Sequence, residues 1–245
     1  MRILVTAGST RVMIDQVRCI SNIFRGRTGR AIAEHFAGCG HDVTLLTSDP
    51  CPQIDLGVDL RVERYRTYSE LYDKMEASVL DESGPPDVVV HSAAVSDYRV
   101  EGTYIQSETM KKIDVRIGEP DREETFVKLR NLDASKKVDS EHEELFLKLE
   151  PTEKIVDVLR QRWGYEGILV KFKLQVGMTD EELLEVAEAS RVHSKAEFMV
   201  ANCLEWSGQR AYVLSDGSTQ AVSREELPMC LLALVKEEKT CWLTR

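Results

Sequence analysis

No run of apolar residues in this 245-residue sequence approaches the roughly 20 that a membrane-spanning helix needs, and Ile3-Leu4-Val5 is too short for a secretory signal. A cytoplasmic protein with no membrane partner is expected. The six cysteines (Cys19, Cys39, Cys51, Cys203, Cys230, Cys241) include no C-x-x-C pair, which argues against a zinc knuckle, a thioredoxin motif or a disulfide framework. Reduced, mostly buried thiols are the expectation. His35, His41, His91, His142 and His193 form no H-E-x-x-H and no close pair, so no protein-held metal is expected. With 14 Gly, 7 Pro, 42% hydrophobic and 30% charged residues, the composition is that of a folded chain with a core. Positive charge is in deficit, 32 Lys and Arg against 42 Asp and Glu, and a net charge of -10 disfavours nucleic-acid binding. A small phosphorylated ligand needs only a local basic pocket, so the sum does not exclude one.

What is present alternates between strand and helix. Ile3-Leu4-Val5 reads as a buried parallel strand that breaks into Thr6-Ala7-Gly8-Ser9-Thr10. Beyond Gly29 a helical pattern (Ala31, Ile32, Phe36, Ala37) stops at Gly38-Cys39-Gly40. Strands follow at Val43 to Leu46, Leu60 to Tyr65 and Val88 to Val90, with a helix from Ser69 to Leu80 between the last two. Residues 99–142 are dense in charge and predict an extended flap outside the core. The core is expected to resume at Leu145 to Leu149, with a helix opening at Pro151-Thr152 and running through Trp163. A strand at Ile168 to Phe172, another at Phe198 to Ala201 and a hairpin around Asp216-Gly217 complete it. Thr179-x-x-Glu182 and Ser223-x-x-Glu226 are capping-box candidates. The prediction is one α/β domain over residues 1–245, with a mostly parallel, doubly wound, Rossmann-like sheet, helices on both faces and the flap.

Chemistry concentrates at strand ends. A glycine loop opening a helix presents free amides and the positive end of the dipole, a ready phosphate site. Gly8, then Gly26-Arg27-Thr28-Gly29, supply such a loop, and residues 1–33 carry Arg2, Arg11, Arg18, Arg25, Arg27 and Arg30 against Asp15 alone, a local balance of +5. His91-Ser92-Ala93-Ala94-Val95-Ser96-Asp97 ends the fourth strand, where open α/β sheets place ligands. Phe172-Lys173-Leu174-Gln175 and Val200-Ala201-Asn202 are further strand ends, uninformative singly. Asp49 past the second strand suggests an NAD(P)-dependent reductase as a competitor. Against it, no G-x-G-x-x-G follows the first strand and no tyrosine has lysine four residues on.

Together and in order, these pieces resemble phosphopantothenoylcysteine synthetase, the ligase half of bifunctional coenzyme A enzymes. Thr6 to Thr10 follow the family's T-[AS]-G-G-T, and Asp15 to Gly29 its D-x-V-R-x-I-S-N-x-S-S-G-x-x-G. Ala93 to Tyr98 match A-A-V-[AS]-D-[YF], Lys137 to Ser140 match K-I-x-S, Phe172 to Gln175 match F-K-L-E-T, and Val200 to Asn202 are its V-A-N. The resemblance implies a homodimer that joins 4′-phosphopantothenate to cysteine through an acyl nucleotidylate, using CTP or ATP with Mg2+. It implies catalytic roles for Asn22 and Lys137, with Arg18, Asn22 and Ala94 on the substrate. The nucleotide would be met by Gly8, Gly26, Gly29, Ala93, Asp97, Lys137, Phe172 and Asn202. No flavin is expected in this chain, whose length leaves no room for the fused decarboxylase.

The sequence departs from the pattern in three places. The family's S-S-G is Phe24-Arg25-Gly26, its acid after F-K-L is Gln175, and the helix positions that carry lysines in cytidine-using members are Ser190 and Ser194. CTP and ATP both stay open, as does a divergent homologue that binds a nucleotide or a pantothenate derivative without ligating.

Overall fold

The computed structural model describes residues 1–49, 57–106, 129–133 and 135–243. In chain order the elements are β1 (Arg2–Ala7), β2 (Arg11–Met13), β3 (Cys19–Ser21), α1 (Arg27–Gly38), β4 (Asp42–Thr47), β5 (Arg61–Arg64), α2 (Tyr68–Val79), β6 (Val88–His91) and β7 (Tyr98–Gln106). They continue with β8 (Leu129–Asn131), β9 (Phe146–Pro151), α3 (Ile155–Gln161), β10 (Ile168–Gln175), α4 (Asp180–His193), β11 (Phe198–Cys203), β12 (Arg210–Ser215), β13 (Ser218–Ser223) and α5 (Leu227–Leu243). The chain divides into two compact units, residues 1–10, 22–95 and 153–245 in one and residues 11–21 and 96–152 in the other.

The larger unit is an eight-stranded sheet of order β13-β12-β11-β10-β6-β1-β4-β5. Strands β11, β10, β6, β1, β4 and β5 are parallel, and the β12–β13 hairpin adds the antiparallel edge. A Rossmann-like sheet is what the run of strand and helix predicted. Side chains alternate across it. Ile3, Val5, Val88, Val90, Val170 and Val200 pack with α1 and α5, whereas Leu4, Val89 and Leu169 pack with α2 and α3. Met199 and Ala201 meet α4 on that second face.

Local chemistry sets the element ends. Helix α1 closes with Gly40 at φ 82, the Gly40 amide reaching the Ala37 carbonyl at 2.9 Å and the His41 amide the Phe36 carbonyl at 3.3 Å. This Schellman arrangement needs a left-handed residue, which glycine supplies without a Cβ clash. Thr179 and Glu182 form the reciprocal capping box at α4. Ser223 and Glu226 make the same pair of bonds just before α5.

The smaller unit contains the β2–β3 hairpin and a three-stranded antiparallel sheet, β8-β7-β9. Two expectations are corrected by it. The segment from Leu145 to Leu149 is not core: Leu145, Phe146 and Leu149 are exposed. Its alternation belongs to an antiparallel strand, where Lys148 pairs with Glu101 at 3.2 Å and Glu150 with Arg99 at 3.3 Å across the ladder. Pro151 closes that strand, and α3 is the shorter Ile155–Gln161. The expected flap, 99–142, holds most of β7 and all of β8, and residues 107–128 and 134 of it lie outside the described residues. The cysteines also depart from expectation. Only Cys203 is buried, Cys230 is half-buried, and Cys19, Cys39 and Cys241 are exposed, since they fall on a hairpin, a helix cap and the end of α5; Cys51 lies outside the described residues.

Candidate functional site

The C-terminal ends of β1 and β6 lie side by side in parallel register, Thr6 beside His91, and the loops leaving them interlock. The Ala94 amide donates to the Gly8 carbonyl at 2.7 Å, the Thr10 amide donates to the Ala94 carbonyl at 3.3 Å, and Ser9 bridges Ala94 in parallel. Ser92 Oγ donates to the Thr6 carbonyl at 2.7 Å, and the Ala93 amide donates to Thr6 Oγ1 at 3.2 Å. Asn22 joins from the loop before α1, its Nδ2 donating to the Ala94 carbonyl at 3.2 Å. Ser9 Oγ bonds the carbonyls of Asn22 and Phe24, both at 3.1 Å, and its amide is held by Ser48 Oγ at 2.8 Å. Gly8, Asn22, Ala93 and Ala94 therefore converge. Ser9 and Ser48 tie the loops together, and the sequence singled out neither for a role.

The glycines also have a packing reason of their own. Gly26 sits at φ 78, and a Cβ there would come within 2.9 Å of the Ala7 carbonyl carbon. A Cβ on Gly29 would meet Ala7 Cβ at 2.8 Å and the Thr6 carbonyl oxygen at 2.9 Å. Both residues let the start of α1 press onto the end of β1. Phe172 and Asn202 lie one and two strands beyond β6 on the α1 side of the sheet, Phe172 half-buried on the core and Asn202 buried. Gly26 caps α1 without a side-chain hydrogen bond, and the first turn has no acidic residue.

The local balance of +5 is less concentrated than its sequence position implies. Arg2 belongs to the opposite edge of the sheet, where its guanidinium donates to Ser83 Oγ at 2.6 Å and the Pro85 carbonyl at 2.7 Å. Arg30 faces Glu34 at 3.8 Å.

In the smaller unit Asp15 is buried and organises its surroundings. Its carboxylate accepts from the Val17 and Arg18 amides at 2.8 and 2.7 Å, from Arg18 Nε at 2.9 Å and from the Val138 amide at 3.0 Å. Arg18 Nη2 also donates to the Val138 carbonyl at 2.7 Å. The Arg18 guanidinium, with the amide donors, holds the Asp15 carboxyl far below the usual range against the opposing effect of burial. Arg18 is thus committed to Asp15 and to the main chain beside Lys137. Lys137 itself is exposed next to buried Val138, and Asp97 is exposed at the start of β7. The i,i+3 spacing of acid and arginine in D-x-V-R was the available signal for this pair. Among the described residues no three His, Cys, Asp or Glu side chains converge as a metal site.

On the α2–α4 face, Thr6, His91 and Lys171 share one row of the sheet. Thr6 Oγ1 and His91 Nδ1 are hydrogen-bonded at 3.0 Å, and burial pushes the His91 pKa down to about 4. Lys171 Nζ donates to the Ser190 carbonyl and hydroxyl at 3.2 and 3.1 Å, and burial lowers its pKa to about 8. An ammonium therefore stands at Ser190, delivered from β10 instead of from the helix. Ser194 Oγ donates to the Ser190 carbonyl at 2.9 Å and completes the end of α4.

Residues 1–118 match the family described as the DNA/pantothenate metabolism flavoprotein C-terminal domain. The coenzyme A biosynthesis bifunctional protein CoaBC of Thermococcus kodakarensis is 34% identical over 211 residues, 84% of this chain and 42% of that protein. The chain thus spans less than half the length of the curated relatives it matches. The DNA/pantothenate metabolism flavoprotein from Streptococcus pneumoniae superposes with a TM-score of 0.78 at 26% identity, covering 97% of this chain and 99% of that one. A Cab2 mutant in complex with phosphopantothenate-cysteine superposes with a TM-score of 0.67 at 18% identity, over 99% of this chain and 87% of that one, a likeness of fold. The interlocked glycine and Ala93-Ala94 loops, the ordered motifs and these relatives agree, and the chain belongs to the phosphopantothenoylcysteine synthetase family.

Proposed function

We propose that this protein is the ligase that joins 4′-phosphopantothenate to cysteine in coenzyme A biosynthesis, with CTP or ATP as co-substrate. The observation that carries the reading is the meeting of Asn22 with Ala94, from loops 72 residues apart, at the ends of β1 and β6. Strand ends at a change of connection direction are where open α/β sheets receive ligands.

Two steps balance the reaction. A carboxylate oxygen of phosphopantothenate attacks the α-phosphorus of the nucleotide, the bond to the β-phosphate oxygen breaks, and pyrophosphate leaves. The cysteine amine then attacks the acyl carbon, loses a proton, and expels the nucleoside monophosphate. Charge develops on phosphate and on a tetrahedral oxyanion, so positioned donors and cations suffice and no enzyme nucleophile is needed. Asn22 Nδ2 is assigned to the acyl intermediate. Lys137 is assigned to neutralising phosphate or oxyanion charge, and Arg18 to holding the segment that bears Lys137 through Asp15 and Val138. Gly8 and the amides around Gly26 and Gly29 are assigned to phosphate, with Ala93, Phe172 and Asn202 beside the nucleotide. Mg2+ would arrive with the triphosphate and supply charge neutralisation on the phosphates, with Asp97 assigned to the nucleotide or to a water that the ion carries. A homodimer with small-molecule partners completes the reading.

Purified protein given phosphopantothenate, cysteine and either CTP or ATP is expected to release pyrophosphate with at least one of them. No release with either nucleotide overturns the ligase reading. Nucleotide binding without release would instead establish a homologue that has kept the pocket and lost the chemistry.

A further inference from the structure

Arg224 stands between β13 and α5 and belongs to none of the motifs. Its amide donates to the Gln209 carbonyl at 2.8 Å, which fixes the turn from one side. From the other side, the Ser223 and Glu226 side chains close on each other, Ser223 Oγ donating to the Glu226 carboxylate at 2.6 Å. The nearby acid Glu226 is thereby used within the turn. Arg224 Nη1 is enclosed by protein and has no hydrogen-bond partner among the described residues.

The fold brings a second cation to the same end of the sheet. Strand β13 runs parallel to β1, being antiparallel to β12, which is antiparallel to β11. The end of β13 and the start of α5 thus lie at the same edge of the sheet as the start of α1. Helices α1 and α5 pack through Ile32, Phe36, Leu231 and Val235, and Arg27 is the first residue of α1. Burial lowers the Arg224 pKa, and the charge of Arg27 lowers it further.

An enclosed donor without an acceptor costs free energy unless an anion is taken up, and a second cation within electrostatic reach adds to that cost. Guanidinium forks match the oxygens of phosphate, and two of them suit a polyphosphate or a phosphomonoester. Phe172 and Asn202 lie on this same face of the same edge. We propose that Arg224, with Arg27, seats a phosphate group of one of the two phosphorylated substrates. This rests on the ligase reading for the identity of the ligands, though not for the anion seat itself.

The test is calorimetric titration of inorganic pyrophosphate, ATP, CTP and 4′-phosphopantothenate, each separately, into wild type, Arg224→Met, Arg224→Lys and Arg27→Gln. Loss of a charge-assisted bond weakens binding by about 10- to 100-fold. Arg224→Met and Arg27→Gln are each expected to weaken pyrophosphate and one phosphorylated substrate by that factor. The substrate affected names the source of the phosphate. Arg224→Lys should fall between, because it keeps the charge and loses the fork. In buffer without polyvalent anions, Arg224→Met is expected to melt at or above the wild-type temperature, since it removes an unsatisfied buried charge. Unchanged affinity for all four ligands, or a melting temperature several degrees lower, overturns the proposal and leaves the ligase reading standing. If wild type binds no nucleotide and releases no pyrophosphate, the ligase reading fails, and the pyrophosphate arm still decides the anion seat.

Discussion

Every residue of β6 and β11 is buried in the larger unit, whereas in the smaller one β3 is exposed throughout and β9 leaves Phe146 and Leu149 exposed. Apolar burial, at about 25 cal/mol per Å2, is strong and non-directional, and it fixes the strand ends from which Gly8, Ala93 and Asn202 project. In the smaller unit the segment beside Lys137 is held by hydrogen bonds to one carboxylate, Asp15, and by the Arg18 contact. Such bonds set a direction well, yet they vanish with a single atom. The large unit is therefore held by burial, whereas in the small unit the placement of the segment beside Lys137 depends on a few polar bonds.

The sharpest way to break that comparison is to remove chemistry without touching structure. Lys137 is exposed, so Lys137→Ala is expected to leave the melting temperature unchanged. Pyrophosphate release should nevertheless fall about 100-fold or more, the effect of losing one transition-state charge stabiliser. Full turnover by the variant would remove Lys137 from the mechanism.

The larger unit is disturbed by a change of one methyl group. Gly26→Ala places a Cβ against the backbone of Ala7 and Gly8 at φ 78. Strain at a left-handed position adds to the clash, and a loss of about 3 kcal/mol is expected, or roughly 6–12 °C in melting temperature. A melting curve superimposable on wild type would show that the loops do not depend on this contact.

Asp15→Ala tests the polar tie. Amide exchange at Val138 is expected to accelerate about 10-fold or more, read by hydrogen exchange, because both main-chain bonds of that residue involve the Asp15–Arg18 pair. Exchange in β6 and β10 should not change. If β6 and β10 loosen as well, the two units are not stabilised separately.

The larger unit was legible because its signals are local. Apolar runs at Ile3, Val88, Ile168 and Phe198 are what doubly covered parallel strands require, and Thr179 with Glu182 announces a helix start within four residues. Gly217 at φ 66 turns the β12–β13 hairpin where Asp216-Gly217 predicted it. The hairpin of β2 and β3 went unseen because each strand is three residues long and carries no buried face to mark it. At the site, Gly8, Asn22 and Ala94 could be brought together from motif order, while the charge count misled because Arg2 belongs to the other end of β1. Lys171 reaching Ser190 is a contact made only by the fold, between residues that no spacing rule connects, and the fold likewise brings Arg27 within electrostatic reach of Arg224.

The smallest effect is a pH dependence that belongs to the larger unit. His91 is buried and neutral, bonded to Thr6 Oγ1, which also receives the Ala93 amide. Its pKa is about 4 in the folded protein against 6.5 for an exposed imidazole, lowered first by burial and then by the charge of Lys171. Between those values the unfolded chain binds more protons than the folded one, so stability rises with pH across the window. The contribution of His91 is complete above pH 6.5 and is lost as the pH falls toward 4. His41, also lowered by burial, adds a part of the same slope. Melting temperatures of His91→Gln are therefore expected to decline less between pH 6.5 and 4 than those of wild type, without becoming flat. Asp15, held below the usual carboxylate range, begins to give up its contribution only as the pH approaches the unfolded value of 3.8, so Asp15→Ala should leave the slope between pH 6.5 and about 5 intact. An equal slope in His91→Gln and wild type would place the acid sensitivity outside this row of the sheet. A slope abolished by Asp15→Ala would move it to the smaller unit and reverse the assignment of which region is governed by burial and which by polar bonds.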